Sequence, residues 1–156
     1  MAPDQAMPPL ELLSVSGGGE NGAFGAGLLC GWTAHGGRPE FELVTGISTG
    51  ALTAPFAFLG PAYDPQLRSV YTEITPEHIL LRRSITAALF DDALTDNTPL
   101  FKTIARHLTE AMLAEIGRQY GAGRLLLIGT TDLDAQQPVI WNIGVMARSD
   151  HPKALD

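Results

Sequence analysis

Two short stretches of the chain carry residues that could do chemistry together. Residues 16–22 read Ser-Gly-Gly-Gly-Glu-Asn-Gly, and residues 46–50 read Gly-Ile-Ser-Thr-Gly. The second sets Ser48 between Gly46 and Gly50. At a turn from strand to helix, such a serine is forced into sparsely populated backbone angles. The flanking glycines remove clashes, so that its Oγ stands free as a nucleophile. The first stretch offers successive backbone N–H groups at a helix start, where the dipole is positive. An acyl-transfer oxyanion needs donors fixed in this way, each worth about 2.7–4 kcal/mol of barrier. Ser48 together with the backbone of Gly17, Gly18 and Gly19 therefore points to a serine acyl hydrolase. The plainer alternative for Ser48 is a helix N-cap. Residues 17–22 also fit Gly-x-Gly-x-x-Gly, a dinucleotide fingerprint that needs an acid at the end of the second strand. Here that strand end runs into Gly46-Ile47-Ser48, and Glu40 and Glu42 lie at its beginning.

The elements that must position these stretches are legible in the apolar pattern. Leu12 to Ser16 reads as a short strand. From Ala23 to His35, Phe24, Leu28, Leu29 and Trp32 recur at helical spacing. Gly25, Gly27 and Gly31 in that helix each cost about 1 kcal/mol relative to alanine, which implies close packing against a sheet. Gly36-Gly37 ends it. Phe41 to Thr45 is a second strand, and Ser48 to Leu59 a helix that Pro55 should kink or shorten. Strand, helix and strand over about 30 residues form a right-handed crossover with parallel strands. Both motifs then meet at one sheet edge. Further on, residues 66–71 and 77–89 read as helices, and Asp96-Asn97-Thr98-Pro99 opens another that runs to about Leu108. Thr109-Glu110 restarts a helix with Met112, Leu113, Ile116 and Tyr120 as its apolar face. Arg124 to Thr131 has the continuous apolar character of a central strand. A turn over Asp132 to Gln137 leads to a strand from Val139 to Ile143. A last helix opens at Ser149 or Asp150, with Pro152 near its start.

Composition narrows the function classes. A chain of 156 residues suits one domain, and a net charge of -7 leaves no Lys/Arg stripe for nucleic acid. The single cysteine, Cys30, excludes an internal disulfide framework and reads as a buried structural thiol. No apolar run reaches the roughly 18 residues of a membrane span, and no basic-then-apolar leader precedes Leu10. The default location is cytoplasmic, with a secreted or envelope-associated one left open by leader removal. Residues 1–10 read as a loose arm. Asp132-x-Asp134 reads as a turn rather than a metal site, because no further ligand spacing supports it. Neither a metal nor a cofactor is expected. Among the four histidines, His35, His78, His107 and His151, the last is the formal candidate for a triad base, whereas His35 and His107 close helices. Asp91-Asp92 is a solvated loop. Residues 79–85, Ile-Leu-Leu-Arg-Arg-Ser-Ile, read as core packing with exposed arginines, ahead of a lipid contact.

The run Ser-Gly-Gly-Gly-Glu-Asn-Gly-Ala-Phe-Gly-Ala-Gly-Leu-Leu followed by Thr-Gly-Ile-Ser-Thr-Gly-Ala-Leu resembles the patatin-like phospholipase family of bacterial type. Asp96-Asn97-Thr98-Pro99-Leu100 and Ile128-Gly129-Thr130-Thr131-Asp132-Leu133-Asp134 are similar to later pieces of that family. The resemblance covers residues 11–156, as the N-terminal portion of one catalytic domain. It implies a three-layer α/β/α fold with a mainly parallel central sheet, truncated at its C-terminal part. It also implies a phospholipase A or carboxylesterase activity from a Ser-Asp dyad. By the same resemblance Ser48 is the nucleophile, Gly17, Gly18 and Gly19 form the oxyanion hole, and Gly46 and Gly50 support the elbow. The implied partners are a phospholipid or other acyl ester and, transiently, a membrane surface. Two departures stand out. Asn21 occupies a position where many members carry Arg or Lys. The family's second catalytic residue is an Asp followed by Gly, and no aspartate of this sequence is followed by glycine. The expectation is therefore an aspartate beyond this chain, on a longer protein or a separate chain, and an inactive 156-residue form. The competing expectations are a non-catalytic lipid- or protein-binding module of the same fold and, behind it, a dinucleotide-binding domain.

Overall fold

A computed structural model describes residues 9–72 and 106–149 of the chain. Strand β1 (Leu12–Val15) leads through a 3-10 turn (Gly19–Asn21) into helix α1 (Gly22–His35). Strand β2 (Leu43–Ile47) is followed by α2 (Thr49–Leu59), a 3-10 turn (Pro61–Tyr63) and α3 (Asp64–Thr72). Helix α4 (Glu110–Gly121), strands β3 (Leu125–Asp132) and β4 (Gln137–Asn142) and the short α5 (Ile143–Ala147) complete the described elements. The strands form one sheet in the order β1-β2-β3-β4. β1, β2 and β3 run parallel, and β4 returns antiparallel to β3. This is the α/β architecture with a mainly parallel sheet that the sequence implies.

Alternation along the strands decides where the core sits. Val44 and Leu126, with Leu13 and Ile128, point to one face of the sheet and join Leu29, Phe56, Phe58, Met112 and Ile116 in the core. On the opposite face Leu12, Ile47 and Ile140 are exposed. The described helices thus gather on one face.

The termini of the helices follow from their sequences. Gly36 closes α1 in the left-handed conformation, φ 82°, with its N–H donating to the Thr33 carbonyl. Thr109 caps α4 by accepting from the Met112 N–H. In the β3–β4 turn the Asp132 carboxylate accepts from the Ala135 N–H, so this aspartate serves the turn. Cys30 is buried, with its sulfur toward the Asp64 carbonyl.

Three expectations need correction. Of the two effects expected of Pro55, shortening does not occur, since α2 continues four residues beyond it to Leu59 with the ring buried in the core. The glycines of α1 do not mediate close packing. A Cβ at Gly25, Gly27 or Gly31 would meet nothing within 4 Å, and Phe24, Leu28 and Trp32 on this helix are exposed. The buried face of α1 is Ala26, Leu29 and Cys30, so of the expected stripe only Leu29 reaches the core. Third, α5 begins at Ile143, the last residue of the expected strand, and occupies a stretch to which the sequence reading gave no element. Asn142 caps it by accepting from Val145 N–H. The expected arm at residues 1–8, the elements expected within 73–105, His78, Asp91-Asp92, the 79–85 stretch and the final helix with His151 lie outside the described residues.

Candidate active site

Parallel pairing of β1 with β2 puts Val15 opposite Gly46, so the segments after both strands emerge at the same sheet edge. Ser48 is the hinge between β2 and α2, with φ 56° and ψ -126°. A non-glycine residue with positive φ is uncommon and holds strain that the surrounding packing must enforce. Although it stands at the N-cap position, its side chain makes no capping hydrogen bond, and the residue is exposed. The plain N-cap alternative therefore does not describe Ser48. The carbonyl of Ser48 accepts from the Ala51 N–H at 2.9 Å, which closes the turn into α2.

The two flanking glycines are dictated by crowding. A Cβ at Gly46 would lie 2.5 Å from the Gly50 carbonyl oxygen and 2.8 Å from the Ala54 Cβ. A Cβ at Gly50 would collide with the Val15 carbonyl oxygen and lie 2.8 Å from that of Ser16. The first turn of α2 thus presses directly onto the end of β1. This contact brings the glycine loop to the serine. A Cβ at Gly17 would stand 2.8 Å from the Ser48 Cβ and 3.4 Å from its Oγ. Gly18 accepts from the Asn21 N–H at 3.0 Å, and Gly19 has φ 55°, a conformation that glycine adopts without strain. All the candidate residues, Gly17, Gly18, Gly19, Gly46, Ser48 and Gly50, belong to this one junction.

Behind the serine lies a polar cluster that sequence reading did not single out. The Tyr71 hydroxyl donates to the Thr49 carbonyl at 3.2 Å and is 2.9 Å from Thr53 Oγ1. It also lies 3.1 Å from the position of a Cβ on Gly22, the first residue of α1. Burial raises the pKa of the Tyr71 phenol above its ordinary value, against a smaller lowering from Thr53, so it stays a protonated donor. Thr49 and Thr53 are one helical turn apart, a spacing visible in the sequence. Their meeting with Tyr71, 18 residues beyond Thr53, is a tertiary contact with no local signal.

Two other clusters are distant from this junction. His35 ends α1 while the glycine loop begins it, a separation of about 20 Å along a 14-residue helix. An open groove of about 430 Å³ lies between α4 and α5, lined by Gly117, Gly121 and Arg148 among others. It contains none of the motif residues. Among the described residues no three His, Cys, Asp or Glu side chains cluster as a metal site.

An α/β sheet with an uncapped, positive-φ serine at a strand-to-helix turn, packed on a glycine loop from the neighbouring strand, defines the class of serine-turn α/β proteins. The particular family follows from comparison. The family model for patatin-like phospholipases matches residues 13–152. The chain belongs to the patatin-like phospholipase family, a family of lipid hydrolases. No curated protein and no solved structure is significantly similar to it. No described helix is long and apolar enough to cross a membrane.

Proposed function

We propose that the protein is a lipid acyl hydrolase in which Ser48 attacks the acyl carbonyl of a phospholipid or related ester. The observation that carries this reading is the contact between Gly17 and a strained, uncapped Ser48. An ester carbonyl over Ser48 Oγ would have its oxygen beside the N–H groups of the Gly17–Gly19 loop at the start of α1. The serine oxygen forms a bond to the carbonyl carbon, its proton goes to a general base, and collapse of the adduct expels the alcohol. Water then releases the fatty acid from the acyl-enzyme. Hydrolysis requires neither a metal nor an organic cofactor in this scheme.

The base of this scheme is read as lying outside the described residues. A general base must come within roughly 2.6–3.2 Å of the serine, directly or through one water. None of the side-chain hydrogen bonds of the described residues involves Ser48 Oγ. By family resemblance the base is an aspartate in an Asp-Gly context, and no such pair occurs in the sequence. On this reading residues 11–156 are the N-terminal portion of the catalytic domain. The partner aspartate is carried by further polypeptide, on the same chain or another, and the domain meets its substrate at a membrane surface.

The test uses a longer form of the protein that includes an Asp-Gly element. It should turn over short-chain esters and take up a fluorophosphonate probe at Ser48, and Ser48→Ala should abolish both. Retained turnover in Ser48→Ala would refute the assignment. An unlabelled wild-type protein would favour a non-catalytic lipid- or protein-binding module of the same fold.

A further inference from the structure

We infer that Tyr71 is a positioning residue for the Ser48 turn: its hydroxyl ties α3 to the first turn of α2, close beside the start of α1 at Gly22. The inference rests on the reading of Ser48 as nucleophile only for its catalytic consequence. The mechanical link stands on the contacts themselves. Three segments from distant parts of the chain meet at one oxygen. The Thr49 carbonyl, which accepts at 3.2 Å, belongs to the residue immediately after Ser48. Thr53 Oγ1, at 2.9 Å, lies one turn further along α2. Gly22 opens α1, and a Cβ there would crowd both the Tyr71 hydroxyl at 3.1 Å and Thr49 Cβ at 3.0 Å. Only a residue without a side chain lets the end of the glycine loop approach the anchor so closely.

The phenol has one proton and the Thr53 hydroxyl has one. With the Tyr71 proton on the Thr49 carbonyl, Thr53 donates to the phenol oxygen. In the reverse order Thr53 donates to that carbonyl, at 3.4 Å, and Tyr71 donates to Thr53. Either way the phenol closes a ring of bonds onto the peptide that follows Ser48. A half-buried oxygen inside such a ring is costly to leave unpaired and so holds its geometry.

This matters because the Ser48 conformation is not one that the residue adopts alone. At φ 56° and ψ -126° the turn springs toward ordinary angles unless both of its ends are fixed. Strand β2 fixes one end through its pairing. Tyr71 and Thr53 fix the other, and the crowding at Gly22 sets the loop's distance from the serine. Tyr71 therefore acts through Thr49 on the orientation of Ser48 and touches no reacting atom.

Tyr71→Phe removes the oxygen and keeps the ring that packs on the core. In the 156-residue chain the Ala51 N–H, which donates to the Ser48 carbonyl, should exchange with solvent about tenfold faster. The amide of Leu126 in the central strand should keep its rate. Thr53→Val should produce the same local acceleration, and adding it to Tyr71→Phe should produce little more. In the active longer form, Tyr71→Phe should lower kcat about tenfold or more while KM stays within about twofold. Ala51 exchange within about twofold of wild type would overturn the inference, as would equal acceleration at Ala51 and Leu126. An inactive wild-type longer form would refute the Ser48 assignment, and the exchange measurement would still decide the role of Tyr71.

Discussion

At the scale of single residues, glycines around Ser48 differ in what they forbid. Gly50 and Gly46 are excluded from bearing a Cβ by backbone atoms, which cannot rotate away. Overpacking of this kind costs about 1–3 kcal/mol or more. We expect Gly50→Ala to lower the urea midpoint by at least that equivalent and to disorder the serine turn with it. Gly18 is different, since a Cβ there meets only Asn21 Cβ at an ordinary 3.5 Å. Gly18→Val should fold, with a melting temperature near wild type. Its kcat in the active form should nevertheless fall more than tenfold, about 1.4 kcal/mol of barrier, because a branched side chain restricts the donor loop. A loss of less than tenfold would refute the proposed oxyanion-hole role of Gly18. Tyr71 adds a pH dependence. Its folded pKa is raised above 10.0 by burial, so the folded chain holds the phenol proton more tightly than the unfolded chain. The resulting stability is fully present below the unfolded value and is lost as pH rises through the folded one. Urea unfolding of wild type between pH 9 and pH 11 should show a steeper decline than that of Tyr71→Phe.

At the scale of elements, the helix that carries the serine turn at its beginning is held at its end by two arginines. The last carbonyls of a helix have no partners of their own. Arg38 donates to the carbonyls of Phe56 and Ala57, and Arg124 to that of Phe58 at 2.6 Å. Arg38 also pairs with Asp64 at 2.7 Å, with both side chains almost wholly buried. Arg124 reaches the Phe41 carbonyl at 2.8 Å, stacks on the Phe58 ring and meets Glu40 at the surface. Burial lowers the Arg124 pKa, and Glu40 and Glu42 oppose that shift. Positive charge at this end also favours the α2 dipole. Arg38→Met leaves Asp64 buried without its partner and should cost about 3–5 kcal/mol. The double variant Arg38→Met with Asp64→Leu should recover a large part of that loss in urea unfolding. If the double variant were no more stable than Arg38→Met, the cost would lie in the uncapped carbonyls of α2 instead.

At the scale of the molecule, the described helices leave one face of the sheet uncovered. Leu12 is 61% exposed, Ile47 58% and Ile140 63%. Beyond β1, among the described residues, no strand pairs with its outer edge, and on α1 Phe24 and Leu28 are exposed as well. Apolar surface of this extent together with an open strand edge favours association. The isolated 156-residue chain should therefore bind a hydrophobic dye and sediment as a concentration-dependent mixture, with no ester turnover above background. If the proposal holds, a longer form that supplies a base should sediment as one species and bind less dye. Robust turnover by the short chain alone would place a base within residues 1–156.

The sequence by itself determined the parts of this protein that are local or periodic. Two glycine-bearing turns, each between an apolar run and a helix-like run, were enough to place Ser48 and Gly17–Gly19 at one sheet edge. Parallel pairing in a crossover unit leaves no other arrangement. Gly36, Thr109 and the Asp132 turn were legible for the same reason, since each acts within a few residues of itself. What the tertiary structure decided was which groups meet across the fold. The apolar stripe of α1 named Phe24, Leu28, Leu29 and Trp32 as its packed face. Of these only Leu29 is buried, with Ala26 and Cys30 beside it, while Trp32 stands edge-on to Phe41. Pro55 could stay inside α2 because the energy of burying its neighbours outweighs one missing hydrogen bond. Tyr71, Arg38 and Arg124 reach their partners across 18 to 83 residues of chain, and no spacing in a sequence encodes a contact of that range.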